Sequence, residues 1–128
     1  MNYSSSLLWL LFVGLFWSFT FPETACDTTL PTETFEQLLV EIDTKRYSKK
    51  KLTTAKTGIE DYCLSVAQAK AIVEKMPFES TRLDFASYAL HHIVDLESIE
   101  SLYEPFLFSS SVEQLKEKLN EISTSTLR

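Results

Sequence analysis

Glycine is almost absent from this sequence, and that scarcity limits the possible folds more than any other feature. The 128 residues include only Gly14 and Gly58. Turns between strands rely heavily on glycine at positive φ angles, which strain most other residues. The sequence therefore favours an all-α domain, in which short connections join the helices.

Apolar residues recur at helical spacing, and the pattern predicts six short helices. Four are marked by apolar stripes: Phe35, Leu38, Leu39 and Ile42; Leu52, Ala55, Ile59 and Tyr62; Ala69, Ile72, Val73 and Met76; Leu83, Ala86, Leu90 and Ile93. Two further helices are predicted at 96–103 and 112–122. Ser65 with Gln68, and Ser110 with Glu113, have the spacing of a capping box, and Asp95 is an N-cap candidate.

A repeat of about 30 residues, within the range typical of stacked helical units, underlies these helices. Residues 47–59 match residues 78–90 at one constant offset, with Tyr47 against Phe78 and Ala55 against Ala86. A fainter third copy places Phe108 against Phe78. The unit is a helix, an aromatic corner and a second helix, which predicts three stacked helical hairpins. The alternative is that amphipathic hairpins of similar length resemble one another without true repetition.

Residues 1–25 are predicted to be a signal peptide that directs secretion to the extracellular space. The apolar run from Leu7 to Trp17 is shorter than the roughly 20 residues that span a bilayer, and it fits the core of such a peptide. Cleavage is expected between positions 18 and 25, and the alternative is an uncleaved membrane anchor. Residues 26–34 then form an N-terminal extension, 35–122 the helical domain and 123–128 a flexible tail.

The sequence contains two cysteines, Cys26 and Cys63. In an oxidising compartment they can form only one intramolecular bridge. Such a bridge would stabilise the fold by about 3 to 4 kcal/mol through loop-closure entropy. The alternative is that Cys63 is simply buried, as cysteines often are.

Several segments resemble an uncharacterised all-helical family that is classified only as a domain of unknown function. The resemblance covers residues 35–119, and its motifs are KLTTAK, YCLSVAQAKAI, FESTRLDFASYA and FLFSSS. The family occurs mostly in exported bacterial proteins and also in some eukaryotic ones. The resemblance implies an all-α fold and export. It implies no activity, cofactor or catalytic residue.

Half of the twelve cations are concentrated in one short run, in a chain of net charge −6. Lysines in the first turn of a helix oppose its dipole, so their presence there suggests another purpose. A helix N-terminus surrounded by cations suits an anionic or acidic partner. The alternative is a solvated corner with ion pairs to Glu41 or Asp43. The run comprises Lys45, Arg46, Lys49, Lys50, Lys51 and Lys56, and the candidate binding residues are Arg46, Lys49, Lys50 and Lys51.

The stretch that holds both histidines suggests structure rather than chemistry. Asp84, Ser87, His91 and Asp95 would form one solvated stripe on a helix. Ser87 would lie mid-helix, without the sharp turn and free backbone donors that a serine nucleophile requires. His91 and Asp95 alone are too few ligands for zinc. We therefore predict no catalytic residue, no metal and no cofactor. Nucleic acid is also a poor partner for an acidic, exported chain, so we predict no nucleic-acid binding.

The sequence thus predicts a small secreted domain that binds an extracellular protein or another anionic partner, without catalysis and without a stable membrane anchor. One alternative is a carrier of a small hydrophobic ligand, since the chain is rich in aromatic residues that are expected mostly in the core. Another is a peptide precursor processed at Lys45-Arg46. Cutting there would separate helices that need each other for burial.

Overall fold

Six helices follow one another in residues 27–126, the part of the chain that the computed structural model describes. The predicted signal peptide and Cys26 lie outside these residues. The all-α class is confirmed, and none of the described residues has a positive φ angle. The helices are α1 (Thr32–Thr44), α2 (Ser48–Ile59), α3 (Val66–Glu74), α4 (Glu79–Ala89), the 3-10 helix η1 (Leu96–Tyr103) and α5 (Ser109–Thr126).

Each helix packs against one or more of the others. α1 packs against α2, α2 against α4, and α4 against both α3 and α5. α3 also packs against η1. An ion pair between Asp43 and Lys75 (2.8 Å) connects the ends of α1 and α3. The contacts of α1 with α2 and of α3 with α4 fit two of the three predicted hairpins, while true repetition stays a prediction.

Three short extended segments lie side by side at the starts of α1, α3 and η1. Cys63 donates its backbone N–H to the Thr28 carbonyl (2.6 Å), and Leu30 donates to the Cys63 carbonyl (2.9 Å). Leu64 donates to the His92 carbonyl (2.8 Å), and its own carbonyl accepts from Val94 (3.0 Å). Leu30 is only 2% exposed. The predicted N-terminal extension therefore supplies part of the core.

Two predicted apolar stripes continue past the ends of their helices. α2 ends at Ile59 and α4 at Ala89, so Tyr62 and Ile93 lie in the connections that follow. The backbone at 92–94 is committed to hydrogen bonds with Leu64 and cannot continue α4. Ile93 still reaches the core, with 7% exposure. Apolar spacing correctly predicted burial here but not the helix end.

The capping box predicted at the start of α3 is confirmed, and a residue from a distant part of the chain adds a further hydrogen bond to it. Ser65 and Gln68 form the capping box, each side chain bonded to the backbone N–H of the other at 3.1 Å. The Asp95 carboxylate also accepts a hydrogen bond from the N–H of Val66 (2.7 Å). Asp95 makes no side-chain cap on η1, the helix that it precedes.

The last helix is longer than the sequence suggested at both ends. α5 begins at Ser109, which places Ser110 inside the first turn, so the predicted capping box of Ser110 and Glu113 is wrong. Residues 123–126, predicted to be a flexible tail, are helical. The hydroxyls of residues 123–125 each donate to the carbonyl four residues earlier, so they turn back onto the helix.

Gly58 serves close helix packing rather than a turn. A Cβ atom added at this position would lie 2.4 Å from the Cδ1 atom of Leu38, a buried residue of α1. The missing side chain therefore allows α1 to approach α2. The core combines residues of the predicted stripes with others outside them, among them Leu64 and Phe85. Its largest side chains without exposure are Ile42, Ile59, Leu64, Ile72, Val73, Met76, Phe85, Leu102 and Leu115.

Candidate functional site

Lys51, one of the predicted binding residues, holds the end of the preceding helix. Its Nζ donates to the Ile42 carbonyl in the last turn of α1 (3.0 Å), and its side chain is partly buried. The last carbonyls of a helix carry partial negative charge and lack partners within the helix. Lys51 lies at the positive N-terminal end of the α2 dipole, which is unfavourable. Its ammonium group, however, binds the negative C-terminal end of α1, which is favourable. Lys51 needs no ligand to explain it.

Two further cations of the basic run also have partners. Lys56 forms an ion pair with Asp84 on α4 (2.6 Å) and lies 5.5 Å from the centre of the Tyr88 ring. Lys45 lies 4.0 Å from the Glu41 carboxylate, one helical turn earlier. The solvated-corner alternative thus holds for Lys45, whereas Lys56 connects two helices.

Arg46, Lys49 and Lys50 remain, and they form what we call the basic corner. All three are exposed, and none forms an ion pair with any residue in 27–126. They surround the N-terminus of α2, where Tyr47 occupies the N-cap and provides no side-chain hydrogen bond. The positive end of the helix and three cations without ion-pair partners therefore coincide at this corner.

The second corner, residues 75–78 between α3 and α4, is fixed to the third by two side chains that the sequence did not single out. Arg82 donates through Nε to the Met76 carbonyl (2.9 Å) and through Nη1 to the Pro105 carbonyl (2.6 Å). The Glu79 carboxylate accepts from the backbone N–H groups of Leu107 and Phe108 at 3.1–3.2 Å. Arg82 occupies the position in the repeat that Lys51 occupies one copy earlier. Lys51 binds a carbonyl in the last turn of α1, and Arg82 binds the Met76 carbonyl two residues after the end of α3.

Glu79 has a lowered pKa because its hydrogen bonds outweigh its burial. Desolvation by burial raises the pKa, while the N–H groups of Phe108 and Leu107, the Ser111 hydroxyl and the charge of Arg82 lower it by more in total. The ionised form of Glu79 is therefore the one that holds the third corner, residues 104–108 between η1 and α5.

We expect Glu79→Gln to destabilise the fold at neutral pH and progressively less in acid. A carboxyl whose pKa is lowered by folding contributes its full stability above its unfolded pKa of about 4.3 and loses it as the pH falls through the folded pKa. The expected loss at pH 7 is about 1–2 kcal/mol. Urea unfolding from pH 7 to pH 3 measures it. The control is Glu117→Gln, an exposed carboxylate on α5; equal pH profiles for the two variants would contradict this role.

Aromatic residues at the three corners, of which the first is residues 45–47 between α1 and α2, are exposed, although the aromatic residues were expected mostly in the core. Tyr47, Phe78 and Phe108 are 66%, 60% and 59% exposed, and Leu107 beside Phe108 is 80% exposed. Each aromatic directly precedes the second helix of its pair, and its carbonyl accepts the N–H four residues on. The repeat was the sequence signal for this set. The other aromatics at residues 35–106 are buried or pack against the core.

The histidine stretch does not form the predicted stripe. α4 ends at Ala89, so His91 and Asp95 lie beyond the helix that would have carried them. Asp95 caps α3, and Nδ1 of His92 lies 2.9 Å from the Tyr62 carbonyl. No group of three or more His, Cys, Asp or Glu side chains within residues 27–126 is arranged to hold a metal ion.

The residues involved in the alternative predictions can also be located in the structure. Lys45 and Arg46 lie in the connection between α1 and α2, with Arg46 exposed. A shallow surface depression of about 340 Å³ on α5 is lined by Asn120, Glu121, Thr124 and Ser125. Cys63, of the predicted disulfide, is 4% exposed, and Cys26 lies outside the described residues.

Comparison with protein families gives a match that covers most of the described chain. Residues 30–119 match the family described as Domain of unknown function (DUF4476). The chain belongs to this family. No curated protein and no solved structure matches the sequence.

The DUF4476 domain agrees with the limits that the structure suggests. The match begins at Leu30, which is buried beside Cys63, and ends at Leu119, which packs against the core from α5. It therefore includes all three corners and the basic corner. Within residues 27–126, no helix is long and apolar enough to cross a membrane.

Proposed function

We propose that this DUF4476 domain is a non-catalytic binding module that recognises an anionic or acidic partner at the basic corner. The observation that carries the proposal is the division within the basic run. Lys45, Lys51 and Lys56 have partners in the fold, whereas Arg46, Lys49 and Lys50 form no ion pair with the described residues.

The location of these cations supports an anionic ligand. The first N–H groups of a helix lack acceptors within the helix, and the N-terminus carries partial positive charge. The chain as a whole is acidic, with 18 carboxylates against 12 cations. A local concentration of uncompensated cations thus stands out in a protein that otherwise repels anions. Lys51 helps to hold α1 and α2 together at this site and is not one of the residues that we propose to contact the partner.

Charge reversal tests the proposal. We expect Lys49→Glu/Lys50→Glu to weaken binding to a heparin column by at least about tenfold, and Arg46→Glu to weaken it further. Binding of the unchanged protein should fall steeply as salt screens these charges. The matched control is Lys116→Glu/Lys118→Glu, which reverses two exposed lysines on α5. If both double variants elute at the same salt concentration, net charge rather than this corner determines binding.

We further propose that the protein is secreted after removal of a signal peptide between positions 18 and 25. The supporting observation is the uncharged apolar run from Leu7 to Trp17. Expression in secreting cells, followed by N-terminal sequencing of the released protein, tests this. A released chain that still begins at Met1, or retention of the whole chain in the membrane fraction, would contradict it.

We also propose a disulfide between Cys26 and Cys63. The backbone N–H of Cys63 donates to the carbonyl of Thr28, which lies two residues after Cys26 in the sequence. Only a short stretch of chain therefore separates Cys26 from the residue that is bonded to the buried Cys63. Peptide mapping under non-reducing conditions should recover the two cysteines in one linked species.

A further inference from the structure

The three corners lie next to one another and form one surface. The ion pair of Asp43 with Lys75 joins the end of α1, directly before the first corner, to the second corner. Glu79, through the N–H groups of Leu107 and Phe108, and Arg82, through the Pro105 carbonyl, join the second to the third. We call this the tip surface; it comprises the exposed side chains of Tyr47, Phe78, Leu107 and Phe108 together with the basic corner.

The tip surface breaks a rule of helix capping at each of its aromatic positions. Ser, Thr, Asp and Asn are preferred at the residue before a helix, because their side chains accept a hydrogen bond from its first turn. Tyr47 and Phe78 occupy N-caps and provide no such bond, and Phe108 directly precedes α5. A sequence that departs from a local preference and also leaves the side chain in solvent usually serves a function at that place.

Two carboxylates beside the tip residues form ion pairs, Asp43 with Lys75 and Glu104 with Lys70. Glu79 is ionised, and its oxygens accept hydrogen bonds from backbone N–H groups. The cations Arg46, Lys49 and Lys50 are not neutralised in this way. The tip surface thus combines exposed aromatic and aliphatic side chains with uncompensated positive charge, although the whole chain is acidic.

From this combination we infer that the tip surface binds the interface of anionic lipid membranes. Aromatic rings are favoured at the boundary between lipid headgroups and acyl chains, and adjacent cations are attracted to anionic lipids. The inference rests on the proposed function, because it names a lipid surface as the anionic partner. Binding is peripheral, and it leaves the helices in place.

The arrangement of the patch favours a membrane over a protein partner. Its four apolar side chains are 59–80% exposed. They project from three separate corners. A lipid surface accepts such side chains individually, while a protein partner must match the shape of all three corners.

Sedimentation with lipid vesicles tests the inference, using the purified protein as the expressing cell processes it. We expect binding to phosphatidylcholine vesicles that contain phosphatidylserine to be about 100-fold stronger than binding to phosphatidylcholine alone, given three cations near the surface. The tip variant Tyr47→Ser/Phe78→Ser/Leu107→Ser/Phe108→Ser should bind at least about tenfold more weakly to either vesicle. The matched control is Val40→Ser/Val94→Ser, which removes exposed apolar side chains away from the corners.

The outcomes separate this inference from the proposed function. If the tip variant keeps its retention on heparin but loses vesicle binding, both are supported. If Lys49→Glu/Lys50→Glu abolishes heparin retention while the unchanged protein ignores anionic vesicles, the membrane inference is wrong and the basic corner stands. Tip-dependent binding to polyglutamate without vesicle binding would identify an acidic protein as the partner instead. Equal vesicle binding by the tip and control variants would also overturn the inference.

Discussion

Replacing Arg82 with methionine is expected to lower the free energy of unfolding by about 2–4 kcal/mol, because two carbonyls lose a charged donor. Methionine keeps a similar length and can pack in the same space. The carbonyls of Met76 and Pro105, in two different corners, would lose hydrogen bonds of 2.9 and 2.6 Å. Glu79 would lose a neighbouring positive charge that lowers its pKa.

Urea denaturation of two matched variants checks this role. Arg82→Lys keeps the charge but lacks the planar fork that reaches two carbonyls, so its loss should be intermediate. Lys75→Met breaks the largely exposed ion pair with Asp43 and should cost about 0.2–1 kcal/mol. An Arg82→Met protein as stable as Lys75→Met would show that the corners are held together by apolar packing instead.

The same comparison bears on the tip surface. If Arg82 fixes the second corner against the third, Arg82→Met should loosen Phe78 relative to Leu107 while leaving the basic corner intact. Vesicle binding should then fall more than heparin retention. The Arg82→Met variant would thereby distinguish the effect of how the apolar side chains are arranged, measured by vesicle binding, from the effect of the cations, measured by heparin retention.

Local patterns predicted the helices well where the deciding contacts are themselves local. The capping box of Ser65 and Gln68 spans three residues and occurs as expected. The bounds predicted for residues 96–103 also match, although this segment is a 3-10 helix rather than an α-helix. Scarcity of glycine correctly indicated connections without positive φ angles in the described part of the chain.

Predictions were wrong where a residue is used by a distant part of the chain. Asp95 looked like the cap of its own helix but accepts from Val66, which lies 29 positions earlier. Lys51 looked misplaced at the start of α2 because its acceptor, Ile42, belongs to another helix. Periodicity indicates which face of a helix is apolar, but it gives no information about contacts between residues that are distant in sequence.

The corner aromatics show a different limit. Residue type alone predicted that the aromatic side chains lie mostly in the core, whereas Tyr47, Phe78 and Phe108 are exposed. Their exposure depends on how the corners are oriented, and Glu79 and Arg82 hold the second and third corners together through contacts distant in sequence. The repeat identified the three positions as equivalent, but equivalence does not reveal which side faces solvent.

Loss of the proposed bridge between Cys26 and Cys63 is expected to lower the free energy of unfolding by about 3–4 kcal/mol, since a loop of roughly 37 residues would no longer be closed in the unfolded chain. Cys26→Ser tests this without changing the buried position. Its stability should equal that of the unchanged protein in reductant and fall below it in non-reducing buffer.

The alternative, a buried Cys63 without a bridge, gives the opposite pattern. Cys26→Ser would then be as stable as the unchanged protein in both buffers. Cys63→Ser would still be destabilised in both, because it places a hydroxyl at a site with 4% exposure. A bridge also predicts that both single variants lose their sensitivity to reductant. Because the start of α1 is paired through Thr28 and Leu30 with Cys63, reduction should raise hydrogen exchange first at these backbone amides and leave the corners protected.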